Sequence, residues 1–193
     1  STWASNLRLA HRTAEMACDL GLGLVTLHAG FIPEDQGDPE RSIMLDRLSE
    51  LASIFEAHQI QVGLETGQES AVTLLDLLQQ LDCSNVGVNF DPANMILYGM
   101  GDPIEAIQIL APYILQVHVK DALPTEVPGT WGSEVPVGCG AVDWEQFFVA
   151  VQELPQVVNM IIEREAGTQR IEDIREGFRL TEMYRSKRPG VPA

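Results

Sequence analysis

Five short apolar runs rich in β-branched residues punctuate the chain: Leu24–Leu27, Gln61–Leu64, Val86–Phe90, Leu115–Val119 and Val157–Ile162. Their length and composition predict buried strands. Between them the apolar positions change to helical spacing, as in Met44, Leu48, Leu51 and Phe55, in Ala71, Leu74, Leu78 and Leu81, and in Phe147, Val151 and Leu154. Asp38-Pro39 and Asp102-Pro103 each place a capping carboxylate before a proline at the first helical position, and Asp143 precedes Trp144-Glu145. Ser1–Leu20, with Leu7, Ala10, Ala14 and Ala17 at helical spacing, reads as a helix leading into the first strand. This alternation of strand and helix implies a parallel sheet covered by helices.

Each run ends at a residue able to bind metal or move protons: His28, Glu65, Asp91, His118 and Glu163. Glu65 to Asp91 is 26 residues and Asp91 to His118 is 27, close to one strand–helix unit. A TIM barrel brings the carboxyl ends of all its strands to one face, so such residues would meet around one centre. A doubly wound sheet gathers strand ends only at its switch point, and no glycine-rich phosphate loop follows the strands here. Three carboxylates and a histidine form a hard, oxygen-rich donor set that suits Mn²⁺, Mg²⁺ or Co²⁺, with zinc as a further option. Each residue taken alone is equally well a cap or a hydrogen-bonded strand end. Glu65, Asp91 and Glu163 buried together would repel one another unless a cation or shared protons compensate.

Composition narrows the partners. With 193 residues, 45% of them hydrophobic, the chain suits one globular domain spanning 1–193. Twelve Lys and Arg against 28 Asp and Glu leave a net charge of −16, a field that repels nucleic acid and anionic membranes. Three scattered cysteines, Cys18, Cys83 and Cys139, fit a reducing, cytoplasmic setting rather than a disulfide framework. No apolar run approaches the roughly 20 residues of a membrane helix, and the first residues do not read as a signal peptide.

Taken in order, the segments HAG, LETG, FDPAN, HVKD and IEREAG resemble the motifs of the xylose-isomerase-like superfamily of TIM barrels. That superfamily groups sugar phosphate isomerases and epimerases with ketose 3-epimerases, hydroxypyruvate isomerases, inosose dehydratases and AP endonuclease relatives. The resemblance implies an α/β fold, the (β/α)₈ barrel. It also implies one divalent ion, Mn²⁺ first, held by Glu65, Asp91, His118 and Glu163 at the ends of the last four strands. Glu65 and Glu163 would double as the acid/base pair, and His28 would line the substrate site. Two positions depart from the 3-epimerase pattern. Asn94 stands where those relatives carry a substrate-contacting histidine, and after His118 the sequence reads Val119-Lys120-Asp121 with no nearby arginine, where an arginine is usual. Typical barrels have eight strands over about 250 residues, so the five strands here imply that the first three βα units are missing from this chain. Either the chain is a piece of a longer product or a second copy completes the sheet.

Asp121–Val142, rich in Gly and Pro and containing Trp131, reads as an irregular loop of about 20 residues that serves as a substrate lid, an arm or a dimer contact. Lys120 either neutralises a substrate oxyanion or pairs with a carboxylate. Arg164 contacts a substrate phosphate or forms a solvated or interfacial ion pair. Ser186–Ala193 is the only locally basic stretch and reads as a frayed end. Together these features point to a metal-dependent isomerase or epimerase of a small sugar, sugar phosphate or keto-polyol, with a homo-oligomer as an open option. The alternatives are an inosose-type dehydratase using the same proton abstraction and a truncated barrel that binds metal or sugar without turnover. AP endonuclease chemistry would need more than four histidines and a basic face.

Overall fold

The computed structural model describes residues 2–127 and 129–186, so Pro128 and the basic tail beyond Ser186 lie outside the described residues. Five strands, β1 (Leu24–Leu27), β2 (Gln61–Glu65), β3 (Val86–Phe90), β4 (Ile114–Val119) and a later one, Asn159–Ile162, match the five apolar runs to within two residues at each end. The first helix, α1 (Thr2–Asp19), precedes β1. Next come α2 (Pro39–Glu56), α3 (Ala71–Leu81), α4 (Pro92–Tyr98), α5 (Pro103–Leu110) and a 3₁₀ turn at Ala111–Tyr113 that leads into β4. Asp38, Asp102 and Asp143 all cap helices as their Asp-Pro and Asp-Trp contexts suggest, each accepting a backbone N–H of the first turn.

The segment after β4 is not irregular. Asp121–Leu123 (β5) pairs antiparallel with Ser133–Val135 (β6), which makes a small hairpin before α6 (Trp144–Gln152). Asp121 is the reason this stretch is ordered. Its buried carboxylate accepts the backbone N–H of Ala122, Gly138, Gly140 and Val142 and the indole N–H of Trp144. Gly140 packs so closely that an added Cβ would lie 2.0 Å from the Asp121 carboxylate. The chain then runs through β7 (Asn159–Ile162) into α7 (Arg170–Ser186).

The main sheet is wholly parallel in the order β1-β2-β3-β4-β7, which is sequence order once the hairpin is set aside. A doubly wound sheet reverses direction at a switch point; a barrel does not. The sheet is therefore an arc of a barrel, a half-barrel, with α1, α2, α3, α5 and α6 packed in succession around it. Val62, Leu64, Val88, Phe90, Val117 and Val119 join Leu74, Leu77, Ile107, Leu110 and Phe147 in one buried core, and the Phe90 and Phe147 rings stack 6.3 Å apart. Both ends of the arc are open. Among the described residues β1 and β7 each have one neighbour, and Leu9 and Met16 of α1, Leu20 just after it, and Ile171, Ile174 and Phe178 of α7 are exposed.

One irregularity places the site. The β3–β4 register runs from Val88 opposite Ile114 to Asn89 opposite Gln116, skipping Leu115. Side chains alternate faces along a strand, so this skip brings Gln116, His118 and Lys120 into phase with Asn89 and Asp91 on the inner face. Gly87 makes the bulge possible: a Cβ there would stand 2.4 Å from the Tyr113 carbonyl oxygen.

Candidate metal centre

Glu65 ends β2, Asp91 follows β3, His118 sits in β4 and Glu163 follows β7. One ligand atom from each lies within 4.8 Å of every other. Three of these atoms, Asp91 Oδ2, His118 Nδ1 and Glu163 Oε2, are buried without a hydrogen-bond partner. Nδ1 of His118 is 3.0 Å from Glu163 Oε2 and 3.5 Å from Asp91 Oδ2, yet neither approach has hydrogen-bonding geometry. Buried polar atoms left this way are costly, and a cation among them removes the cost. An oxygen-rich set with one imidazole fits Mn²⁺, Mg²⁺, Co²⁺ or Zn²⁺.

Capping and ligation are compatible at Asp91. Its Oδ1 accepts the N–H groups of Ala93 and Asn94 at the start of α4, while Oδ2 remains for the shared space. Thr66 fixes the backbone there, accepting from Asp91 N at 2.8 Å and donating to its carbonyl. Glu65 is held from two sides, by Asn94 Nδ2 at 3.0 Å and Asn89 Nδ2 at 3.2 Å. His28 Nε2 approaches Glu65 at 3.5 Å and also lines a cavity of about 570 Å³ with Phe31, Asp38, Arg47 and Leu51, beside the open edge of β1.

Lys120 enters the same cluster, 98% buried. Its Nζ lies 3.1 Å from Glu163, 3.5 Å from Asp91, 2.9 Å from Glu165 and 3.4 Å from Asn94 Oδ1. Three carboxylates therefore face two groups able to carry positive charge, and the titrations respond. Burial opposes the charge on His118, but Asp91 and Glu163 overcome it and lift the imidazole to about 10. The neighbouring imidazolium, with Lys120, holds Glu163 down to about 2 against the effect of burial. Burial dominates at Glu65 and raises its carboxyl despite His118 and His28.

Residues 1–184 match the xylose isomerase-like TIM barrel family. The chain belongs to this family. A xylose isomerase domain protein from Planctomyces limnophilus is 36% identical and superposes with a TM-score of 0.88 over 95% of this chain and 66% of its own. A xylose isomerase-like TIM barrel protein from Mycobacterium smegmatis, solved in complex with magnesium, is 19% identical with a TM-score of 0.75 over 95% of this chain and 68% of its own. YihM of Escherichia coli K12 is 35% identical over 98 residues, which are 44% of this chain and 29% of YihM. The chain thus spans about two-thirds of its structural relatives and less than a third of YihM. Epimerases and a probable dehydratase share the fold.

Within this xylose isomerase-like frame, Glu65, Asp91, His118, Glu163, His28, Asn94 and Lys120 come together as the sequence suggests, while two other residues sit differently. Arg164 forms ion pairs within the protein, and they are buried rather than solvated. Its buried side chain donates to Glu134 through Nη1 at 2.8 Å and to Asp173 through Nε at 2.9 Å. Trp131 is 64% exposed and stands outside the cluster, edge-on to Tyr98 at 5.1 Å. Asn94, expected to face substrate, has both ends of its amide engaged, between Glu65 and Lys120.

Sequence reading missed Asn89, which contacts Glu65 and also lies 3.0 Å from His118 Nε2. Its signal was available: a fully buried polar residue in a strand, two positions before Asp91 and so on the same face. Glu134 carried no comparable signal, because its partners at 164–166 are about 30 residues away in sequence. Among the described residues, no helix is long and apolar enough to cross a membrane.

Proposed function

We propose that this barrel face holds one divalent ion through Glu65, Asp91, His118 and Glu163 and isomerises or epimerises a small sugar or keto-polyol by proton transfer. The carrying observation is the convergence of four ligand atoms within 4.8 Å of one another, three of them buried without a hydrogen-bond partner. A bound ion would polarise a substrate carbonyl and acidify the adjacent C–H. Glu65 and Glu163 are the two carboxylates of the cluster that would take that proton and return one. Delivery to the opposite face of the same carbon inverts it; delivery to the neighbouring carbon interconverts aldose and ketose. In this reading His28 and Lys120 would orient substrate oxygens. The magnesium-bound relative and the epimerases of this fold support the reading.

Titration calorimetry with Mn²⁺ tests the site. About one ion should bind per chain, binding should be lost in Glu65→Gln and His118→Ala, and affinity should rise with pH, since the ion displaces a proton from an imidazole that holds it to about pH 10. Ketoses incubated with the Mn²⁺-loaded chain in D₂O should gain carbon-bound deuterium, and Glu163→Gln should gain none. A chain that binds no divalent ion would overturn the proposal.

A further inference from the structure

The hairpin and the last metal ligand are joined by one side chain. Glu134, on β6, sends its carboxylate into the turn that follows Glu163. Oε1 accepts the backbone N–H of Glu165 at 2.9 Å and Nη1 of Arg164 at 2.8 Å, and Oε2 accepts the N–H of Ala166 at 3.0 Å. The Glu134 and Arg164 side chains are each only 8% exposed, so both are removed from water and each is the other's counter-charge. Arg164 extends the link to α7 through Asp173. On its other side Glu163 is tied to the sheet, its N–H donating to the Val119 carbonyl.

We infer that Glu134 is a positioning residue for the metal ligand Glu163, and that the β5–β6 hairpin and the metal site stabilise each other through it. The inference rests on the metal reading above. Without Glu134 the turn at 164–166 loses acceptors for two backbone N–H groups and one of the two counter-charges of Arg164. Two carboxylates depend on that turn: Glu163, which must face His118, and Glu165, which faces Lys120. Lys120 in turn contacts Asn94, which holds Glu65. A change in the hairpin therefore reaches two of the four ligands through named contacts. Outer partners that orient ligands usually change metal affinity by 10- to 100-fold. Coupling of this kind is reciprocal, so an ion that fixes Glu163 must also favour the docked hairpin.

The test combines Mn²⁺ calorimetry with hydrogen exchange on the 193-residue chain. Glu134→Gln keeps the size but loses the ion pair, and its affinity for Mn²⁺ should fall about 10-fold or more. Trp131→Ala, in the same hairpin but outside the link, should bind as the parent does. In the parent chain, Mn²⁺ should slow exchange at 133–135 and 164–167, a readout that does not depend on the variant folding. Parent-like affinity in Glu134→Gln, or no added protection at 133–135, overturns the inference and leaves the metal reading standing. A parent chain that binds no Mn²⁺ overturns both.

Discussion

Glu69 is a buried carboxyl outside the metal site. It is 7% exposed, and burial raises its pKa to about 7 even though the backbone N–H groups of Gly67 and Gln68 favour the anion. A carboxyl raised in the folded state stabilises fully below its ordinary value of 4.5, and that contribution is lost as pH rises through about 7. Glu69→Gln removes the ionisation while keeping an oxygen for the backbone. Urea unfolding should find the variant more stable than the parent at pH 8.5, by up to about 3 kcal/mol, with the difference shrinking toward pH 5. A difference independent of pH would show that Glu69 is not held this way. Asp91 resolves the competition between capping and ligation by dividing its oxygens: Oδ1 serves the helix and Oδ2 is left for a cation.

Asp121 does at the scale of an element what no propensity in its segment does. Residues 121–142 carry glycines and prolines and no long apolar pattern, yet five donors close on one buried carboxylate and fold the segment into a hairpin that leads to α6. Asp121→Asn offers one acceptor oxygen in place of two and turns an NH₂ group toward N–H donors. Leaving buried donors unpaired costs about 1–3 kcal/mol each, so the urea midpoint should fall by the equivalent of about 3 kcal/mol or more. Trp144, whose indole bonds the same carboxylate, reports the change by fluorescence. A variant with parent-like stability would refute this account of the hairpin. The skip at Leu115 is the other element-scale device, since without it His118 would face the helices instead of Asp91.

At the scale of the whole molecule, the proposed metal site draws on the ends of four parallel strands, β2, β3, β4 and β7, so an ion bound there would stabilise the folded arc and not the unfolded chain. Mn²⁺ at 100 times its dissociation constant should add about 2.7 kcal/mol, which for a chain of this size is a rise of about 5–10 °C in Tm. Differential scanning calorimetry with and without EDTA reads this directly, and an EDTA-indifferent Tm would contradict it. The arc itself has two open edges and exposed apolar helix faces at both ends. Its 66% span of the Planctomyces limnophilus structure matches that geometry.

Sequence by itself determined the strands and the capped helices, and so put Glu65, Asp91, His118 and Glu163 at or near strand ends, because burial and capping impose local periodicities of two and 3.6 residues that survive in one dimension. It also placed Asn94 and Lys120 near the centre, through their short distance from Asp91 and His118. Only the tertiary structure decided which face His118 presents, because a one-residue bulge leaves no mark in hydropathy. It alone showed that Arg164 is bound to Glu134 and Asp173, that Asn89 touches both Glu65 and His118, and that a supposed irregular loop is a hairpin organised by Asp121. Those contacts join residues as much as 45 positions apart, as between Lys120 and Glu165. Pairings of that span depend on the curvature of the sheet and the register of its strands, which no local pattern encodes.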